Sequence, residues 1–162
     1  MWGKRRQAIL EPGTTTPSFQ LNTPNGTSLA LKQVLAKGPA LLAFFKVSCP
    51  VCQLSFPFLE RMAGNKTVQV LGVSQDDASA TEEFNQRFGV TFPTLLDESK
   101  KGYPVSNQFG ISSVPTFFVV ETDGTISKAF SGFSKRDLEA LGQRMGVQPF
   151  GPEEKVPEFK AG

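Results

Sequence analysis

The chain contains no histidine among its 162 residues, and it contains only two cysteines. Without an imidazole it cannot build a Ser-His-Asp triad, a Cys-His protease site or a histidine acid/base catalyst. Two cysteines also fall short of the four ligands of a structural zinc site within one chain. We therefore expect no metal and no cofactor, with a zinc ion shared between two chains as the alternative.

An excess of charge of one sign is also missing. Lysine and arginine number 17 and aspartate and glutamate 15, so the net charge is +2. This balance gives no reason to expect nucleic acid as a partner. The one basic cluster, Lys4-Arg5-Arg6, is expected to be solvated.

Long apolar runs are missing as well, because no stretch reaches the roughly 20 residues that a membrane-spanning helix needs. No secretory signal is recognisable, since only a short apolar stretch separates the basic start from Pro12-Gly13. We expect the chain as written to be cytoplasmic, and extracytoplasmic if a leader has been removed.

What the chain does have is a pair of cysteines three positions apart, in Cys49-Pro50-Val51-Cys52. The pair follows the apolar run Ala40–Phe45, which predicts a central strand buried on both faces. Pro50 suits the first turn of a following helix, where its missing N–H costs nothing. On such a helix both sulfur atoms share one turn, close enough to form a disulfide or to pass one to a partner.

The two thiols are expected to differ in reactivity. Cys49 would lie exposed at the helix N-cap, where backbone amides and the positive end of the helix dipole favour a thiolate. Cys52, one turn further on, would be more buried and less reactive. We predict that Cys49 attacks a substrate disulfide and that Cys52 resolves the mixed disulfide. The alternative is a pair of inert core cysteines.

Strands and helices alternate along the chain, which predicts a three-layer α/β domain whose sheet is mixed, mostly parallel, with an antiparallel edge hairpin. We assign this domain to residues 17–146, between an irregular arm at 1–16 and an extended tail at 147–162. The predicted strands are 17–21, Ala40–Phe45, 68–73, Thr94–Leu96, Thr116–Val120 and 125–130. The predicted helices are 29–36, one from Pro50 that Pro57 would kink, one from a capping box at 79–82 to Phe88, 104–109 and Lys135–Met145.

The dithiol and the strand before it resemble the active-site segment of the thioredoxin-like superfamily. Further residues carry the same resemblance: Phe56-Pro57 after the dithiol, Val114-Pro115 before a strand, and the Asp123-Gly124 turn of a hairpin. The front end, residues 17–29, is similar to the redoxin branch. That branch holds both peroxiredoxins of the alkyl hydroperoxide reductase/thiol-specific antioxidant type and thiol–disulfide oxidoreductases of the cytochrome-maturation type.

This resemblance implies a thioredoxin-like three-layer α/β/α sandwich with an N-terminal extension, and thiol–disulfide oxidoreductase activity. It also implies a cis peptide bond before Pro115, which would face the dithiol. The free backbone of Val114 would then pair with an incoming peptide as an added strand. The implied partners are disulfides and thiols of proteins or small molecules, with an unidentified protein as electron donor or acceptor.

The chain departs from the superfamily at three positions near the dithiol. Ser48 stands where a tryptophan commonly precedes the first cysteine, and Ala43 where thioredoxin carries a buried acidic residue. Ser55 stands where the cytochrome-maturation branch often has a glutamate. A carboxylate there would help to move the proton of Cys52. We expect water, Ser48 or Ser55 to serve in its place.

Four other residues are candidates for supporting roles. The charge of Lys46 would favour the thiolate of Cys49, although a solvated loop lysine is the alternative. Pro50, between the two cysteines, is expected to affect the reduction potential. Phe109 and Phe133 are candidates for the border of a substrate groove, although the bulk of the 15 phenylalanines reads as core.

Two other functions stay open on the same fold. A thiol peroxidase is one, because residues 92–97 are similar to a stretch of peroxiredoxins, and its substrates would be peroxides. One feature is against it. Peroxiredoxins have a threonine three positions before the peroxidatic cysteine, and if Cys52 were peroxidatic, Cys49 would stand at that position. Arg61 and Arg87 are present, but nothing in the sequence directs either of them to the site. The other alternative is a non-enzymatic redox sensor or interaction module.

Overall fold

The structure is a computed structural model that describes residues 8–162, so Lys4-Arg5-Arg6 lies outside the described residues. The strands are β1 (Gln20–Asn22), β2 (Ser28–Ala30), β3 (Ala40–Phe45), β4 (Gln69–Ser74), β5 (Thr94–Leu96), β6 (Thr116–Val120), β7 (Ile126–Ser131), β8 (Phe133–Ser134) and β9 (Phe159–Lys160). The helices are α1 (Leu31–Leu35), α2 (Pro50–Met62), α3 (Ala78–Phe88), α4 (Pro104–Gln108) and α5 (Lys135–Met145), with a 3-10 turn at Ser99–Lys101.

A seven-stranded mixed sheet in the order β2-β1-β5-β4-β3-β6-β7 forms the centre of the molecule. Its middle is parallel, because β3 pairs with β4 and β4 with β5 in that sense. The predicted hairpin of β6 and β7 forms one antiparallel edge, and the hairpin of β1 and β2 forms a second. The predicted thioredoxin-like fold class is therefore confirmed, and the strand that leads into the dithiol lies in the interior of the sheet.

The three layers follow from the alternation of side chains along β3, whose residues are all fully buried. Phe45 packs on one face, with ring centroids 4.3 Å from Phe56 in α2 and 4.9 Å from Phe84 in α3. Phe44 points to the other face, where its ring centroid lies 5.1 Å from that of Phe109. Successive residues of a strand point to opposite faces, so two adjacent phenylalanines anchor both helical layers.

The start of α3 differs from the capping box expected at residues 79–82. The N-cap is Asp77, whose side chain accepts a hydrogen bond from the N–H of Ala80 at 2.8 Å. An aspartate is at least as good an N-cap as a serine, and Asp77 comes first in the chain. The predicted end of the helix is confirmed, since Gly89 takes the left-handed conformation with φ of 68°.

The segment 29–36, predicted as one helix, is divided between a strand and a shorter helix. Residues of β2 pair with β1 in a hairpin, and the helix begins only at Leu31. The N–H of Ala30 donates to the side-chain oxygen of Gln33 at 2.8 Å. This bond caps the helix at Ala30, so the helix begins two residues later than the apolar spacing predicted.

The tail at residues 147–162 folds back along the domain. The ring of Phe150 lies 4.8 Å from that of Phe58, centroid to centroid. The guanidinium of Arg61 donates to the Pro149 carbonyl at 2.7 Å and pairs with the Glu154 carboxylate at 2.5 Å. Further on, β9 pairs with β8 to form a separate two-stranded sheet. The tail is thus bound to the domain at two places, near Arg61 and along β8.

A Glu121→Gln variant should be less stable at neutral pH and less sensitive to acid. Arg144 donates two hydrogen bonds of 2.7 Å to the Glu121 carboxylate, and these lower its pKa from 4.5 to about 2. A lowered pKa in the folded state adds stability above pH 4.5, and this stability is lost as the pH falls towards 2. Both side chains are partly exposed, so we expect a loss of only about 0.5–1 kcal/mol at pH 7.

Urea unfolding at neutral and at acidic pH measures this effect. Glu139→Gln, on an exposed position of α5, is the matched control and should leave the stability at both pH values unchanged. Equal acid sensitivity of Glu121→Gln and the parent protein would show that the ion pair does not contribute.

Candidate active site

Cys49 lies where the buried strand β3 gives way to helix α2. It is the N-cap residue of that helix, in an extended conformation, and Pro50 occupies the first helical position. The N–H of Cys52 donates to the sulfur of Cys49 at 3.1 Å. A sulfur that accepts a backbone N–H at the positive end of a helix is well placed to carry negative charge.

The two thiols are both free, and they differ in exposure. Cys49 is partly exposed, whereas Cys52 is fully buried. Burial raises the pKa of the Cys52 thiol far above its ordinary value, and the hydrogen bond with Cys49 raises it further. One sulfur is therefore open to a substrate while the other stays protonated beneath it.

The loop before β6 faces this pair of thiols. The peptide bond between Val114 and Pro115 is cis. The thiol of Cys49 donates to the carbonyl oxygen of Val114, with 3.4 Å between sulfur and oxygen. Thr116 supports the loop from behind, because its hydroxyl donates to the carbonyl of Ser113 at 2.8 Å. The fold thus brings Cys49 next to Val114 and Pro115, although Val114 lies 65 positions later in the sequence.

Lys46 is exposed at the start of the loop between β3 and α2. Its ammonium group lies 5.8 Å from the centroid of the Tyr103 ring, a cation–π contact. Its carbonyl oxygen accepts the N–H of Cys49 at 3.2 Å. The structure therefore relates Lys46 to the dithiol through its backbone, while its side chain contacts an aromatic ring.

The serines next to the dithiol have different surroundings. Ser48 is exposed in the loop, as is Pro50 after Cys49. Ser55 is fully buried, and its hydroxyl donates to the carbonyl of Val51 at 2.7 Å. The proton of the Ser55 hydroxyl is therefore engaged within α2, whereas Ser48 is open to solvent.

Two polar residues that hold the loop were missed by the sequence reasoning. The carboxylate of Asp76 accepts the N–H of Val47 at 2.9 Å, and the side-chain amide of Gln53 donates to the Val47 carbonyl, also at 2.9 Å. Val47 is thus fixed from both sides, two positions before Cys49. A signal was available, since Asp76 follows β4 and the carboxyl ends of parallel neighbours meet at one edge of the sheet.

The remaining candidates lie away from the dithiol or within the core. Arg61 is engaged by the tail, and the guanidinium carbon of Arg87 lies 5.4 Å from the centroid of the Phe88 ring. Phe109 and Phe133 are fully buried. Neither arginine is directed at Cys49, and neither phenylalanine offers an open surface to a substrate.

Within residues 8–162, no three cysteine, aspartate or glutamate side chains gather as they would around a metal ion. The described helices include none with the length and apolar character to cross a bilayer. The described residues thus offer a partly exposed sulfur at a helix N-terminus with a buried thiol one turn away.

Comparison with known proteins agrees with this geometry. The model of the AhpC/TSA family matches residues 12–129. The chain is 28% identical over 130 residues to the thiol-disulfide oxidoreductase ResA of Halalkalibacterium halodurans, covering 78% of this chain and 72% of the relative. It is 27% identical over 149 residues to a Helicobacter pylori protein provisionally named peroxiredoxin bcp, covering 82% of this chain and 98% of that protein.

Solved structures show the same fold. A Chlorobium tepidum protein provisionally named thiol:disulfide interchange protein DsbE superposes with a TM-score of 0.72 at 27% identity. The match covers 83% of this chain and 95% of that protein. The family match at residues 12–129 extends from the strands before the dithiol through the cis-proline loop into the edge hairpin.

Proposed function

The chain belongs to the AhpC/TSA family and is a thioredoxin-like thiol–disulfide oxidoreductase, and on this premise we propose that Cys49 is its nucleophile and Cys52 its resolving thiol. The observation that carries this assignment is the difference between the two sulfurs. The sulfur of Cys49 is partly exposed and accepts a backbone N–H, whereas Cys52 is buried and protonated.

The reaction takes place in two exchanges that conserve atoms and electrons. The Cys49 thiolate attacks one sulfur of a substrate disulfide, the S–S bond breaks, and the leaving thiolate takes up a proton. Cys52 then loses its proton and attacks the sulfur of Cys49, which expels the second substrate thiolate. Two electrons have passed to the substrate, and the enzyme is left as a Cys49–Cys52 disulfide. The reverse sequence oxidises a dithiol.

The raised pKa of Cys52 favours this order of steps. Besides burial, the hydrogen bond and the charge of Cys49 both raise this pKa. A mixed disulfide on Cys49 removes the charge of that residue, so the pKa of Cys52 should be lower after the first exchange than before it. We propose that solvent next to the exposed Ser48 accepts the proton, since Ser55 is engaged within α2.

The substrates are thiols and disulfides, and we propose that the backbone of Val114 beside Pro115 receives them. Support comes from the 3.4 Å contact between this carbonyl and the sulfur of Cys49. A substrate strand pairing there would place its disulfide at the nucleophile. An electron donor or acceptor protein would use the same edge, since it must reach the same sulfur.

For the compartment, we propose the extracytoplasmic one of the two alternatives. Disulfide substrates persist in oxidising compartments and are scarce in the cytosol. The similarity to ResA and DsbE supports this proposal, because both proteins are named for thiol–disulfide exchange and such exchange needs disulfide substrates. Fractionation that recovers the protein only with cytosolic markers would contradict it.

A thiol peroxidase is the second candidate. The observation in its favour is that the similarity to the relative named peroxiredoxin covers 98% of that protein. The surroundings of the dithiol favour it less. Cys52, which would be the peroxidatic residue, is fully buried. Arg61 and Arg87, which would be needed to hold a peroxide, are engaged elsewhere. A peroxide-consumption assay run beside a disulfide-reduction assay separates the two activities.

Iodoacetamide should label Cys49 of the reduced protein at least about a hundredfold faster than Cys52 near neutral pH, because buried Cys52 reacts only when the structure opens. Mass spectrometry of peptides taken at successive times measures the two rates. The same labelling in urea is the control, since unfolding should make both rates similar. Faster labelling of Cys52 in the folded protein would reverse the assigned roles and favour the peroxidase.

A further inference from the structure

Residues 158–162 lie along the edge of the domain that leads to the dithiol. They run antiparallel to β8, with Phe159 opposite Ser134 and Lys160 opposite Phe133. The N–H of Lys135 donates to the carbonyl of Glu158 at 3.0 Å. The segment is thus bound by main-chain pairing, as an added strand is.

Gly132 allows this segment to approach closely. A Cβ at this glycine would lie 2.5 Å from the carbonyl oxygen of Lys160 and 3.2 Å from the ring of Phe159. The N–H of Gly132 donates to the carbonyl of Pro115 at 2.8 Å. The segment therefore crosses directly over the residue that is hydrogen-bonded to the cis-proline.

The segment continues to the carbonyl that contacts the nucleophile. A Cβ at Gly162 would overlap the carbonyl oxygen of Val114 and would lie 3.2 Å from Cδ of Pro115. The same oxygen accepts the thiol of Cys49 at 3.4 Å. Residue 162 and the reactive sulfur thus meet at one backbone group.

We propose that residues 158–162 occupy the docking site of an extended polypeptide, and that the substrate of this dithiol is a polypeptide disulfide that displaces them. This rests on the proposed function, because it assigns the substrate class of the same site. The segment pairs with the edge of β8 and ends at the Val114 carbonyl that Cys49 contacts, and an incoming chain binds such an edge through its backbone. The aromatic ring over Gly132 marks a subsite for an apolar side chain of that chain.

The segment is held weakly enough to be displaced. Its strand is only two residues long, and the side chain of Phe159 is 59% exposed. A segment with few buried contacts needs little free energy to open locally. The contacts of Phe150 and Glu154 lie before it in the chain, so they would keep the rest of the tail in place when it leaves.

Gly162→Val in the full chain tests the proposal, because the added side chain fits only when the segment has left Val114. We expect kcat/KM for the reduction of insulin to rise about tenfold, since the docking site is then open for a larger fraction of the time. The rate with hydroxyethyl disulfide, which needs no strand edge, should change by less than about twofold. Ala161→Val is the matched control, since it adds bulk at an exposed neighbouring position.

A deletion of residues 158–162 should reproduce the effect of Gly162→Val, and a synthetic peptide of residues 156–162 should then raise the KM for insulin. An unchanged ratio of the two rates in both variants, together with no effect of the peptide, would overturn the docking proposal. It would leave the disulfide exchange intact. Retention of hydroxyethyl disulfide reduction by Cys49→Ser would instead overturn the assignment of the nucleophile.

Discussion

A Cys52→Ser variant mixed with a disulfide-bonded protein should accumulate a covalent mixed disulfide through Cys49. The exposed sulfur can still attack, but the thiol that would release the substrate is gone. Cys49→Ser should form no such adduct, because the remaining thiol is buried and protonated. We expect disulfide reduction by Cys49→Ser to fall by at least about a thousandfold, as for the loss of a nucleophile elsewhere.

Non-reducing gels and mass spectrometry of the adduct measure this outcome. The matched control places an exposed thiol elsewhere, as Ser79→Cys in a chain that lacks both native cysteines. Ser79 is exposed on α3, so this thiol tests whether exposure alone produces the adduct. Equal trapping by the control, or trapping by Cys49→Ser, would show that the geometry around Cys49 does not confer the reactivity.

The local part of the site could be predicted from the sequence. Three features lie close together in sequence: the buried strand, Pro50 at the first helical position and the spacing of the two cysteines. They place Cys49 at the helix N-cap without help from distant residues. The cis peptide bond before Pro115 is not local in this sense, and it was expected only through the resemblance to a known superfamily.

The distant contacts could not be predicted in the same way. The position of Asp76 after β4 indicates its bond to Val47 only once β3 and β4 are known to be parallel neighbours, and no pattern within either strand determines that order. The start of α3 at Asp77 was missed because Ser79 offered a competing cap. The docking of residues 158–162 has no apolar periodicity behind it, since it rests on backbone pairing and on two glycines that permit close approach.

We expect Phe45→Ala, in the aromatic core behind β3, to destabilise the fold and so to expose the buried thiol of Cys52 more often. Phe45 is fully buried, and a Cβ at Gly72 would lie only 3.2 Å from its ring. Its removal should lower the free energy of unfolding by about 3–5 kcal/mol. That is a large part of the 5–15 kcal/mol that is typical of small proteins. Phe159→Ala is the control, and its exposed ring should contribute less than about 0.5 kcal/mol.

Urea unfolding measures the two stabilities, and iodoacetamide labelling of Cys52 reports the consequence for the site. Cys52 reacts only through opening, so a loss of about 3 kcal/mol should speed its labelling by roughly a hundredfold. Cys49 is partly exposed already, and its labelling should change little in comparison. If the labelling of Cys52 stayed as slow in Phe45→Ala as in the parent protein while stability fell, its protection would come from the local contact with Cys49 instead. The core would then not be what protects Cys52 from labelling.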